Sequence, residues 1–178
     1  MQSNRTQGLG RVRALTAAVA LAVGSSAMAA APVWVTSGDD SGPGTLREAL
    51  ASGASNIRIA SQVGSIDIDS TLVYEGTRPL KIDGIGQTVF GNNTGDDFTL
   101  LEIAEGANVS IYDLNFDGGG GFSLDNPGDG KGVFVRVPED RTGVVRVELK
   151  NVRVNGVANH GIHVSDCTLG DDCGAGSG

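Results

Sequence analysis

The sequence predicts an all-β chain wound as a parallel β-helix, a solenoid of short strands, with one short capping helix near its N-terminus. Three observations predict it. Apolar and polar residues alternate with period two through most of the chain, a ten-residue pattern recurs with the same internal gaps, and the one stretch of helical character stands ahead of the first strands.

Residues 1–29 lie outside that fold. "MQSNRTQGLGRVRALTAAVALAVGSSAMA" has a positive start (Arg5, Arg11, Arg13), a short apolar centre from Ala14 to Gly24, and an A-x-A site at Ala27-Met28-Ala29. It is read as a signal peptide cut after Ala29. The apolar run is shorter than the roughly 20 residues a spanning helix needs, so no transmembrane helix is expected after cleavage. The expected location is secreted, periplasmic or cell-surface. Removing these residues leaves 10 basic against 21 acidic side chains, a formal −11. Nucleic acid is therefore not an expected partner, because phosphate binding needs clustered Lys and Arg. The about 149 remaining residues suffice for one domain, and with one Trp, two Tyr and five Phe in the chain its core must be aliphatic.

Residues 30–55 form the leading segment and its capping helix. In "SGPGTLREAL" (41–50), Thr45 followed by Glu48 is a T-x-x-E capping box, in which each side chain serves a backbone N–H of the first turn. Leu46, Ala49 and Leu50 make the apolar face, Arg47 and Glu48 are expected to point outward, and Gly53 stops the helix. A helix this short is marginal alone in water. Leu46 and Leu50 are therefore expected to close the open end of the strand stack, whose unpaired edge would otherwise invite aggregation.

Residues 56–166 are read as the coils. Candidate strands are 56–60, 65–68, 79–83, 100–104, 109–116, 133–137, 145–154 and 161–164, separated by Gly, Asn and Asp. Val109, Ile111, Leu114, Phe116 and Gly118 match Val147, Leu149, Val152, Val154 and Gly156 one for one, at an offset of 38. Leu80 and Ile82 align with Leu101 and Ile103 at an offset of 21, which suggests a coil near 20 residues with a Gly/Asp-rich insertion at 118–132 in the longer step. Val109, Ile111, Leu114, Phe116, Val147, Leu149, Val152 and Val154 are the expected core columns. Within each copy the doubled polar pairs "YD" and "KN" mark a bend that leaves the inward face unchanged.

"TSGDDSGPGTLREAL" followed by "NIRIA" resembles the leading segment of secreted right-handed parallel β-helix proteins of the pectate-lyase-like superfamily, including bacterial surface proteins with a similar S/T-L-R-E-A motif. The resemblance covers roughly residues 34–166. It implies a right-handed winding and, for function, lyases, hydrolases, adhesins or proteins of no known activity alike. Polygalacturonase-like members would show N-T-D, paired Asp, G-H-G and R-I-K. Here only His160-Gly161 is found. Lyase-like members use Asp around calcium with a basic residue, and "YDLNFDGG" supplies Asp113 and Asp117 without one. No catalytic residue transfers, so the catalytic set stays unassigned.

The remaining motifs carry little chemistry. Asp113 and Asp117 occupy turn positions that favour Asp. His160 and His163, three apart on a strand, should face opposite sides and serve no common site. No metal site and no cofactor is expected, a weak loop-bound Ca²⁺ at "DNPGDG" (125–130) being the one ion left open. Residues 167–178 form a Cys/Gly-rich loop or truncated end, in which Cys167 and Cys173 are read as a local disulfide, free thiols being the alternative. The Gly/Ser finish suggests the N-terminal part of a longer protein, and a bare trailing edge would favour oligomerisation or poor solubility. The expected function is a surface scaffold or adhesin-like module whose loops at 91–97 and 118–132 meet a polysaccharide, a cell-surface glycan or a protein. The competing reading is the leading part of a polysaccharide lyase or glycoside hydrolase with its catalytic groups beyond residue 178.

Overall fold

The computed structural model describes residues 31–92, 98–120, 130–138 and 142–166. The signal segment, Cys167 and Cys173, most of the calcium-like stretch and the centres of both expected ligand loops lie outside the described residues.

Among the described residues eleven strands and one helix follow in order: β1 (Val33–Val35), α1 (Leu46–Ala51), β2 (Asn56–Ile59), β3 (Ser65–Ile68), β4 (Leu72–Tyr74), β5 (Leu80–Gly91), β6 (Thr99–Ile103), β7 (Val109–Asp117), β8 (Lys131–Val137), β9 (Val147–Lys150), β10 (Val154–Asn155) and β11 (Ile162–Asp166). They make two parallel sheets. The larger has seven strands in the order β1-β2-β5-β7-β10, with β3 on β5 and β9 on β7; the smaller runs β11-β8-β6-β4. From β4 onward the chain passes back and forth between them. The chain is thus all-β with parallel sheets.

Like residues sit above one another because parallel pairing keeps the inward face of every strand in register. One row runs Ile57, Ile82, Ile111, Leu149, and another Leu80, Val109, Val147. In the smaller sheet Leu72, Leu101, Val133 and Ile162 form a row beside Tyr74, Ile103, Val135 and Val164. Sequence offsets along the first row grow from 25 to 29 to 38 while the row itself is kept. The expected 21-residue step is corrected here. Leu101 partners Leu72, not Leu80, because a Leu-x-Ile alternation looks the same whichever sheet receives it.

The 38-residue correspondence is a physical layer. Val109 lies against Val147 and Phe116 against Val154, and three side-chain bonds repeat at the same spacing. Asn108 Oδ1 accepts from the Arg146 N–H, Asn115 Oδ1 accepts from the Arg153 N–H, and Asn151 Nδ2 donates to Asp113 Oδ1 at 2.8 Å. The bends fall in the doubled polar pairs: Asp113 and Asn151 have φ of 52° and 54°, a left-handed conformation that Asp and Asn tolerate better than other non-glycine residues. Asn151 therefore divides the expected 145–154 strand into β9 and β10.

Burial follows position in the stack. Val109, Ile111, Leu114 and Phe116 are fully buried, whereas Val147, Leu149, Val152 and Val154 are only half-buried although they share the pattern. The last four were expected as core. They belong to the final described layer, with nothing stacked beyond them among the described residues.

At the other end, Leu46, Ala49 and Leu50 of α1 are buried against β1 and β4. Thr45 Oγ1 accepts from the Glu48 N–H at 3.2 Å, while the Glu48 carboxylate takes the Gly44 N–H at 2.6 Å rather than that of Thr45. Gly53, at φ 68°, ends the helix. Arg47 departs from its expected outward, solvated role. Its guanidinium donates to the Asp40 carboxylate and carbonyl and to the Ser70 and Thr71 carbonyls, tying helix, leading loop and the β3–β4 turn together.

Candidate functional site

Because inward positions of the larger sheet are aliphatic, the alternate positions form a continuous outward row, one residue per strand. That row is Trp34, Arg58, Asp83, Tyr112 and Lys150 on β1, β2, β5, β7 and β9. Trp34 is 51% exposed. At roughly 4.8 Å per strand step, Trp34 and Tyr112 stand about 14 Å apart along the row.

Neighbouring side chains hold the row in order. The Arg58 guanidinium lies 5.9 Å from the Trp34 ring centre, and its Nε is 3.6 Å from Asp83 Oδ2. Lys81 Nζ reaches the same carboxylate oxygen at 2.7 Å and lies 5.2 Å from the Tyr112 ring centre. Exposed ion pairs of this kind contribute only about 0–1 kcal/mol each. Their consequence here is positional, since each aromatic face carries a cation that is itself tied to Asp83.

A groove of about 490 Å³ opens along this face. Its rim adds the exposed Ile85, and Glu148 lies on the side of Lys150; among the described residues neither Glu148 nor Lys150 makes an ion pair. The floor is shaped by Gly84, where a Cβ would collide with the Asp113 carbonyl, so the β5 bulge between Asp83 and Gln87 can lie flat on the bend of β7. The groove thus offers two aromatic planes with cations and carboxylates between them. Such a surface suits a polyhydroxylated ligand with C–H faces for stacking and hydroxyls for hydrogen bonds.

The sequence-based candidates are distributed differently. Thr45, Leu46, Glu48 and Leu50 belong to the plug, and none of them lines this groove. Asp113 lines the groove but is engaged by Asn151, and Asp117 Oδ1 accepts from the Gly119 N–H at 2.9 Å in a local turn. Of the two loops expected to meet a ligand, only the margins are described. Among the described residues no cluster of three or more His, Cys, Asp and Glu could hold a metal, and no helix is long and apolar enough to cross a membrane.

The histidines require a correction. His160 and His163 do not face opposite sides; their rings stack at 4.8 Å between centres, and His163 stacks on Phe134 at 5.0 Å. The alternation rule fails because His160 precedes β11, which begins at Ile162, and sits in a turn that folds its ring back over the strand. Lys131 Nζ, 4.9 Å from the Phe134 ring centre, completes this smaller cluster on the four-stranded sheet.

The groove was not anticipated from sequence. Its signal was nonetheless present, in Trp34 and Tyr112 at the polar phase of an alternating pattern. What was missing was the register that lines them up. No protein-family model, curated protein or solved structure matches this chain.

Proposed function

We propose that this chain is an exported, right-handed parallel β-helix scaffold that binds a glycan along the outer face of its seven-stranded sheet. The outward row from Trp34 to Lys150 carries the reading, since it joins two aromatic planes about 14 Å apart through alternating charges. Sugar rings would stack on Trp34 and Tyr112, and their hydroxyls would bond Arg58, Asp83 and Lys150. The right-handed winding is supported by parallel neighbours of one sheet that are joined through the other, a connection of that hand in about 98% of cases. The signal-like N-terminus supports export.

Affinity electrophoresis of the purified protein in gels containing neutral and acidic polysaccharides tests the reading. Retardation by at least one glycan is expected, with Trp34→Ala and Tyr112→Ala each weakening binding about tenfold, equivalent to ~1.4 kcal/mol. Unchanged retardation in both variants, or none in the parent, would refute it. Incubation with polygalacturonate and calcium provides the enzymatic comparison, because steady growth of absorbance from unsaturated product would favour a lyase instead.

A further inference from the structure

We propose that the trailing edge of the larger sheet, formed by β9, pairs with the same edge of a second copy in an antiparallel, two-fold arrangement centred on Val147. Among the described strands β9 pairs with β7 alone. The Val109 N–H donates to the Arg146 carbonyl at 2.9 Å, so Val109 bonds to the residues flanking its partner Val147. In a parallel ladder this turns the N–H and C=O of Val147 and Leu149 toward the open side, with Val145 just ahead of β9. The inward side chains of all three are half-buried, and the same end of the molecule carries Ile162 and Val164, each 50% exposed although they continue buried rows. Unpaired backbone edged by aliphatic side chains is a template for another strand.

The charges select both occupant and register. Outward positions here read Arg146, Glu148, Lys150. A two-fold axis through Val147 places Val145 opposite Leu149 of the second copy, and Arg146 opposite its Glu148, twice over. Moving the axis to Glu148 would set Glu148 against itself and Arg146 against Lys150, which is repulsive. A one-residue slip to odd register would put inward side chains opposite outward ones. The edge is therefore self-complementary in the way an isologous dimer requires. Head-to-tail stacking is opposed by α1, which is packed on the leading end.

Sedimentation equilibrium at micromolar concentration tests the pairing. The parent protein should show twice the mass of its chain. Glu148→Lys should shift it to monomer, and so should Arg146→Glu, each by at least about tenfold in dissociation constant, with β circular dichroism unchanged. Mixing those two variants should restore a dimer, because positions 146 and 148 are then both basic in one copy and both acidic in the other, and each basic side chain again faces a carboxylate. Hydrogen exchange read at the Val147 and Leu149 amides supplies a measurement independent of any variant, with protection expected to fall on dilution. A monomeric parent overturns the proposal, whether those amides exchange fast or are shielded by residues 167–178. So do open-ended oligomers, a dimer indifferent to both charge reversals, or variants that do not pair on mixing.

Discussion

The two ends of the stack are built from the same aliphatic alternation and yet differ in how far they are covered. At the leading end Val35 and Leu46 have no exposed surface, although Val33 on the edge strand is 38% exposed; at the trailing end Val147 and Leu149 are half-buried, and Ile162 and Val164 are half exposed. The difference is α1. A six-residue helix, capped by Thr45 and fastened through Arg47 to Asp40, Ser70 and Thr71, supplies the apolar surface that the first strands lack. An inward-facing valine is thus buried only when a next layer exists. Pattern decides direction, and neighbours decide burial.

The largest effect should come from charge placed in the middle of the stack. Ile111→Asp would strand a carboxylate among fully buried aliphatics and should abolish the cooperative thermal transition, whereas Leu149→Asp, on the half-exposed last layer, should keep β circular dichroism and a melt at reduced temperature. Equal damage from the two would erase the contrast between centre and edge. Truncation of the plug comes next. Leu46→Ala should destabilise by about 3 kcal/mol and Leu149→Ala by no more than about 1 kcal/mol, read as shifts in urea midpoint at constant slope.

Removing the cap hydroxyl with Thr45→Ala should cost about 1 kcal/mol. A denaturation midpoint equal to that of the parent would mean that the plug holds without its cap. The smallest effect concerns Tyr74, buried beneath α1 on β4. Its phenol is held above the ordinary value of 10.0 by burial, partly opposed by Arg78, and its hydroxyl donates to the Arg78 carbonyl at 3.1 Å. The folded state resists ionisation, so the associated stability is complete below the unfolded pKa and is lost as pH climbs toward the raised one. Between about pH 9 and about pH 11 the parent should lose melting temperature faster than Tyr74→Phe. Parallel curves would show that this phenol is not differentially ionised.

Much of this was legible in the residues. The 38-residue match identified a true layer because Asn108, Asp113 and Asn115 each bond the residue 38 further on. Other features were hidden for definite reasons. β1 and β4 have three residues each, too few for alternation to register, and β5 runs through a bulge at Gly84–Gly86 that looks in sequence like the end of a strand. Arg47 looked like an ordinary exposed helix residue because its four acceptors lie on loops 7 to 24 positions away. Trp34 and Tyr112 are separated by 78 positions in sequence and by three strand steps in space.

By itself the sequence determined what each residue prefers locally: period-two alternation set the inward and outward faces, Asp and Asn in the doubled polar pairs allowed the left-handed bends, and Thr45 with Glu48 started the helix. Those are interactions within a few residues of chain. Only the tertiary structure decided which inward residues are dry, which sheet each strand joins and which outward side chains share a groove. These depend on register between strands 23 to 38 residues apart, and loop lengths that vary freely between coils leave that register unwritten in any local pattern.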